Sequence, residues 1–277
     1  MTLRVFYSPI QTNRIIVSKL QTLTRFQSCE FIPLAEDQFE RRKQLKNIRG
    51  RGVYLWGDGE SHHESYYFTK LRSMKLKINV DYHTDYYGTK EELSCGNHML
   101  WSKERGKKII VPESRVSRTK KPESYLRLMM ELAKKVGLDY FEGEVALTID
   151  LDGITGMPVL SKWLASMGTI DYKEIVELIK TLDCRIFRLD IGGIIENLPE
   201  FELRELPSET VLTKENLIPF YFELNPEFGL GSAIPKEQLV SIVGSYVVRA
   251  YAEILETFLQ IHEATLGIQS TERSVHA

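Results

Sequence analysis

Residues 75–85 read KLKINVDYHTD. The segment reads as a buried strand that runs straight into Asp81, His83 and Asp85. In an extended chain residues i, i+2 and i+4 point to one face, so these three side chains are expected to project together from the strand's end. Two carboxylates and an imidazole suit a hard or borderline divalent ion: oxygen ligands favour manganese or magnesium, and imidazole tolerates manganese, iron and zinc. A second apolar run, VALTIDLD at 145–152, ends in Asp150 and Asp152, which also share a face. One acidic motif at a strand end can serve only to cap the next helix. Five such groups at two buried strand ends are different, because clustered carboxylates repel one another and lose solvation. A divalent ion is the usual compensation, and the two strand ends are expected to meet and hold metal.

Outward from this segment, short apolar strands alternate with helices. Strands are expected at 3–7, 31–34, 53–56, 107–112 and 185–191, besides the two site strands. Helices are expected at 12–23, 37–48, 66–71, 122–136, 158–166 and 171–182, and a long helix or a broken pair at 236–266. Short strands buried on both faces imply a mostly parallel sheet with helices on each side, an α/β chain in three α/β/α layers. No internal repeat is present, and residues 1–277 are read as a single domain with an irregular elaboration at 194–234, punctuated by Pro199, Pro207, Pro219 and Pro226. The turn after strand 53–56, Gly57-Asp58-Gly59-Glu60-Ser61-His62-His63, is a strand-to-helix junction. Such junctions at strand carboxyl ends are where α/β proteins place their sites.

A net charge of −2 does not point to nucleic acid or a membrane surface as the main partner, and no run approaches the roughly 20 apolar residues of a spanning helix. Cys29, Cys95 and Cys184 are odd in number and widely spaced, which supports neither a disulfide framework nor a paired-cysteine zinc site. A reducing cytoplasm is the simplest setting. The opening residues, MTLRVFYSPI, read as a first strand rather than a leader.

The order Gly-Asp…His, then Asp-x-His-x-Asp, then Asp-x-Asp resembles the arginase/agmatinase (ureohydrolase) superfamily. LTIDLDGITGMP, GTIDYKEIVELIKTL and CRIFRLDIGGIIENLP are similar to three later segments of that family, and the resemblance spans roughly residues 53–199. It implies a three-layer α/β/α fold, two divalent ions (manganese first, with iron, cobalt or zinc as alternatives) and hydrolysis of a non-peptide C–N bond in a small molecule. A water bridging two such ions becomes a hydroxide nucleophile near neutral pH. By position, Asp81 and Asp150 would bridge the ions, Asp85 would complete one shell, and His83 and Asp152 the other. The remaining histidine would come from His62 or His63, with His63 favoured and His62 left beside the shell. SCGNH sits where the family carries a proton-transfer histidine, which assigns that role to His98. Relatives of this family are often trimers or hexamers, so a homo-oligomer fits the resemblance.

The sequence departs from the family in its substrate half. The junction has extra residues between Gly57-Asp58 and its histidines, and Asp152 runs into Gly153-Ile154-Thr155-Gly156 in place of Asp-Pro. The late glutamate that orients a guanidinium is Gly193 without a gap, and Glu196 with a shift. Two further classes stay open. One is an arginase-fold protein with a metal centre and no ureohydrolase activity. The other is a metallophosphoesterase, which Asp81-x-His83 and Gly96-Asn97-His98 mimic but which needs a Gly-Asp-x-x-Asp block absent between 83 and 96.

Overall fold

The computed structural model describes residues 2–57, 59–71, 73–81, 83, 85, 92–104, 108–110, 144–154, 170–194 and 247–265. Its strands are β1 (Arg4–Tyr7), β2 (Glu30–Pro33), β3 (Gly52–Leu55), β4 (Met74–Val80), β5 (Lys108–Ile110), β6 (Glu144–Asp150) and β7 (Ile186–Gly192). They form one sheet in the order β2-β1-β3-β7-β6-β4-β5, and every pairing is parallel. The helices are α1 (Gln11–Thr22), α2 (Gln38–Asn47), α3 (Glu64–Phe68), α4 (His98–Glu104), α5 (Tyr172–Leu182) and α6 (247–265).

Alternation along the strands divides the core into two layers. Val5, Val53, Leu55, Leu76, Ile78, Val80, Leu147, Ile149 and Ile191 pack with apolar residues of α1, α5 and α6. Phe6, Tyr54 and Trp56 face the other way, onto Leu45 of α2 and Phe68 of α3. A sheet covered on both faces in this way is the expected α/β/α sandwich. Helix α5 shows why these segments form where they do. Asp171 and Glu174 make a reciprocal capping box, and Ile175, Leu178, Ile179 and Leu182 recur at the helical period and are buried.

The centre of the α2/α3 face is polar. Lys77, Thr148, Arg188 and Asp190 occupy the inward positions of β4, β6 and β7, and each is fully buried. Buried polar groups of this kind need partners, and most of theirs lie under the carboxyl ends of the strands.

Strand β4 stops at Val80, so Asp81, His83 and Asp85 do not continue an extended run; Asp85 has φ 50°. The cause is local: the Asp81 carboxylate accepts the His83 backbone N–H, an Asx turn that draws the chain out of the strand. Asp150 does the same with the Asp152 N–H at 3.1 Å, opening a 3₁₀ turn at Leu151–Gly153. The helices expected at 122–136 and 158–166, and residues 195–234, lie outside the described residues. Among the described residues no helix is long and apolar enough to cross a membrane.

Candidate metal centre

Four neighbouring strands, β3-β7-β6-β4, deliver the site from their carboxyl ends. After β3, a 3₁₀ turn at Gly59–His63 leads into α3. His62 points from that turn to the strand ends and is 1% exposed. Its Nδ1 lies 2.8 Å from Asp85 Oδ2, 3.2 Å from Asp150 Oδ2 and 3.5 Å from Asp81 Oδ2. On the other side of Asp81, His83 Nδ1 lies 3.6 Å from Asp81 Oδ1 and 2.8 Å from Asp152 Oδ2. Asp81 therefore faces one histidine with each of its oxygens. The ligand-capable atoms of His62, Asp81 and Asp150 lie within 4.8 Å of one another, and so do those of Asp81, His83 and Asp152.

The electrostatics ask for a cation. Burial, with Asp85 alongside, raises the Asp81 carboxyl to about 6. Burial, with Asp152 and Asp81 alongside, raises Asp150 to about 7. Bonds to Asp152 and Asp81 hold the His83 ring up at about 11. Burial alone would lower His62, but Asp85 and Asp150 hold it well above its ordinary value. His62 Nδ1 is buried beside three carboxylates yet aligned for a hydrogen bond to none of them. A donor set of carboxylate oxygens and imidazole nitrogens, with such an orphaned nitrogen at its centre, fits divalent manganese, iron, cobalt or zinc.

The expectation that His63 supplies the first imidazole does not hold. His63 Nε2 lies 2.6 Å from Arg42 Nη2 and 3.2 Å from Gln38 Nε2, on α2 and away from the carboxylates. The reason sits one residue on. Glu64 is fully buried, held by Arg41 at 3.0 Å and by the Tyr54 hydroxyl. That anchor fixes the rotation of the turn, sending His63 to α2 and His62 inward. The Trp56 indole then stacks on the His62 ring, with centroids 4.3 Å apart and planes 7° from parallel.

Sequence comparison with protein-family models and with curated proteins gives no match. Comparison of structures does. The agmatine ureohydrolase of Thermoplasma volcanium superposes with a TM-score of 0.53 over 95% of this chain and 92% of its own, at 12% identity. The formimidoylglutamase of Bacillus subtilis gives 0.53 over 93% and 87%, at 10% identity. The arginase of the same organism gives 0.51 over 92% and 98%, at 14% identity. The chain has the arginase fold.

Gly193, which the ungapped resemblance aligns with the family's late glutamate, has φ +88°, and a β-carbon there would lie 2.0 Å from Asp150 Oδ1. Glu196, the shifted candidate, lies outside the described residues. His98 begins α4 beneath the site and is fully buried. Its Nε2 is 2.8 Å from Asp85 Oδ2 and its Nδ1 is 3.1 Å from Lys77 Nζ. Burial, with the charges of His62 and Lys77 nearby, lowers its proton affinity well below the ordinary value. Lys77, Ser65, Thr148, Asp190 and Trp56 surround the centre as well, and sequence reasoning passed over all five.

Proposed function

We propose that this chain is a metal-dependent hydrolase of a non-peptide C–N bond in a small molecule, with a ureohydrolase-like or amide substrate. The carrying observation is Asp81, whose two oxygens face His62 on one side and His83 on the other. One ion would take His62, Asp81, Asp85 and Asp150; its neighbour would take Asp81, His83 and Asp152. By the resemblance, Asp150 would serve both ions, as Asp81 would. When bound, a pair of divalent ions supplies Lewis acidity and a water activated near neutral pH. Manganese suits four carboxylates and two imidazoles, and iron, cobalt and zinc also fit.

The protein's own part is to hold these groups rigid and dry. His62, Asp81, Asp85 and Asp150 are buried, while the His83 side chain is 34% exposed and marks the open side from which a substrate would approach. A second reading has a specific observation behind it: an arginase-fold protein that binds metal without ureohydrolase activity. On the ungapped resemblance Gly193 stands where the family orients a guanidinium and offers no side chain, and a β-carbon there would strike Asp150.

Metal analysis of protein purified without chelators, followed by an assay for urea or ammonia release from guanidino, formimino and amide compounds, tests both. About two equivalents of metal with metal-dependent C–N cleavage is the expected result. Less than about one equivalent under metal-replete conditions overturns the two-ion centre. Two equivalents with no cleavage across the panel favour the second reading.

A further inference from the structure

Beneath the carboxylates lies a buried polar network that the proposed chemistry does not use. Lys77 Nζ, on β4, lies 2.9 Å from Ser65 Oγ and 3.1 Å from His98 Nδ1. Ser65 donates to Asp190 Oδ2 at 3.0 Å, Trp56 Nε1 donates to Asp190 Oδ1 at 3.1 Å, and Thr148 donates to that same Oδ1. Thr148 Oγ1 lies 3.2 Å from His62 Nε2. At the far end His98 Nε2 meets Asp85 Oδ2 at 2.8 Å. Every side chain in this chain of contacts is buried.

Counting donors places the protons. A lysine ammonium has three donors and no acceptor, so Lys77 donates both to Ser65 and to His98 Nδ1. A neutral imidazole that accepts at one nitrogen carries its hydrogen on the other. His98 therefore donates from Nε2 to Asp85. Ser65 and Thr148 each have one hydrogen, and both give it to Asp190. The Thr148 oxygen is left as an acceptor, so His62 carries its hydrogen on Nε2. The Nδ1 position, turned to Asp81, Asp85 and Asp150, is then the one that would give up its proton to a metal ion.

We infer that Lys77, Ser65, Thr148 and Asp190 are positioning residues that set both tautomers, making His62 an Nδ1 metal ligand and His98 an Nε2–H donor that holds Asp85. The His62 half rests on the two-ion reading; the His98 half does not. The ligand-capable atoms of His62, Asp85 and His98 also lie within 4.8 Å of one another, yet this trio is two ligands and a support rather than a third ion site. It also removes His98 from proton transfer, since both its nitrogens are engaged inside the protein.

Nitrogen-15 NMR of the imidazoles decides the matter, in the full chain both chelated and loaded with zinc. His98 should carry its proton on Nε2 in both samples, and zinc-loaded His62 should show Nε2–H with a metal-bound Nδ1. Thr148→Val should weaken zinc binding about 10–100-fold, and Thr148→Ser should restore it to within about threefold. A proton on His98 Nδ1, or zinc bound to His98, overturns the inference. So does zinc on His62 Nε2, or a Thr148→Val variant that binds zinc like the wild type. Failure of the chelator-free protein to bind zinc at all overturns the two-ion reading and the His62 half with it, while the chelated spectrum still decides His98.

Discussion

The six-membered ring of Trp56 fills the space that a side chain at residue 192 would need: a β-carbon on Gly192 would lie 2.2 Å from Trp56 Cδ2. Trp56 in turn is the flat surface on which His62 lies. Gly192→Ala must therefore move the indole, and the histidine follows it. The expected cost is about 1–3 kcal/mol of stability from overpacking, read as a lower melting temperature in chelator, together with weaker metal binding by calorimetry. An unchanged metal affinity would show that the stack does not hold His62 in place.

The neighbouring glycine leads to a counter-intuitive expectation. The ungapped resemblance aligns Gly193 with the family's late glutamate, and on that alignment the obvious repair is Gly193→Glu. Its φ of +88° disfavours any residue with a β-carbon, and that carbon would strike the Asp150 carboxylate. The variant should lose metal rather than gain activity on guanidino compounds. Metal stoichiometry after dialysis is the measurement, and full occupancy would refute the steric argument.

Adjacent histidines separate the two candidate ligands cleanly. His62→Ala removes an imidazole whose Nδ1 lies among three carboxylates, and should weaken binding of one ion by well over about 100-fold. His63→Ala removes a contact with Arg42 and Gln38 and should leave metal content as in the wild type. The opposite pattern, measured by elemental analysis of the two purified variants, would restore His63 as the ligand.

Much of this centre could be read from the chain itself. The alternation of short apolar strands with helices gave the layered sheet, because a strand covered on both faces has few polar positions to confuse the pattern. Asp81, His83, Asp85, Asp150 and Asp152 stood out because acidic and imidazole groups are costly at buried strand ends unless something neutralises them. Two things were hidden. The choice of His62 over His63 depends on Arg41, more than 20 residues earlier, gripping Glu64, and local spacing carries no trace of that partner. The network under the site did leave a faint mark: Lys77, Thr148 and Asp190 interrupt apolar strands at inward positions. Strand periodicity marks such residues only as polar interruptions, and their partners, Ser65, His98 and Trp56 from other segments, are visible only in the fold.

The Arg41–Glu64 pair is itself testable. Arg41 is 7% exposed, Glu64 is fully buried, and Arg41 Nη1 also donates to the carbonyls of Ala35 and Glu36 at 2.9 and 2.8 Å. Arg41→Met would strand a buried carboxylate, at a cost of about 3–5 kcal/mol. Denaturant unfolding of Arg41→Met and of the double variant Arg41→Met/Glu64→Gln gives the coupling. The double variant should recover part of the loss, and equal losses in both would show that Glu64 does not depend on Arg41.

Proton linkage gives the sharpest check on the ligand set as a whole. Without metal, Asp81 and Asp150 hold protons up to about 6 and about 7, against an ordinary 3.8, and His83 holds its proton up to about 11, against 6.5. A group raised in the folded state contributes stability that is complete below its unfolded value and is lost as pH rises through the folded one. Metal-free protein should therefore lose stability steadily from about pH 4 to 7 as the carboxylates ionise against one another, and His83 extends the decline above pH 6.5. Ion binding runs the other way, because the same groups must be deprotonated to serve as ligands. The gap in melting temperature between metal-loaded and chelated protein should widen from pH 5 to pH 8. Calorimetric titration with metal near pH 7, in two buffers of different ionisation enthalpy, should report release of about two protons, chiefly from His62 and His83. A constant gap with no buffer dependence would mean that the ion, if one binds, sits somewhere other than among these side chains.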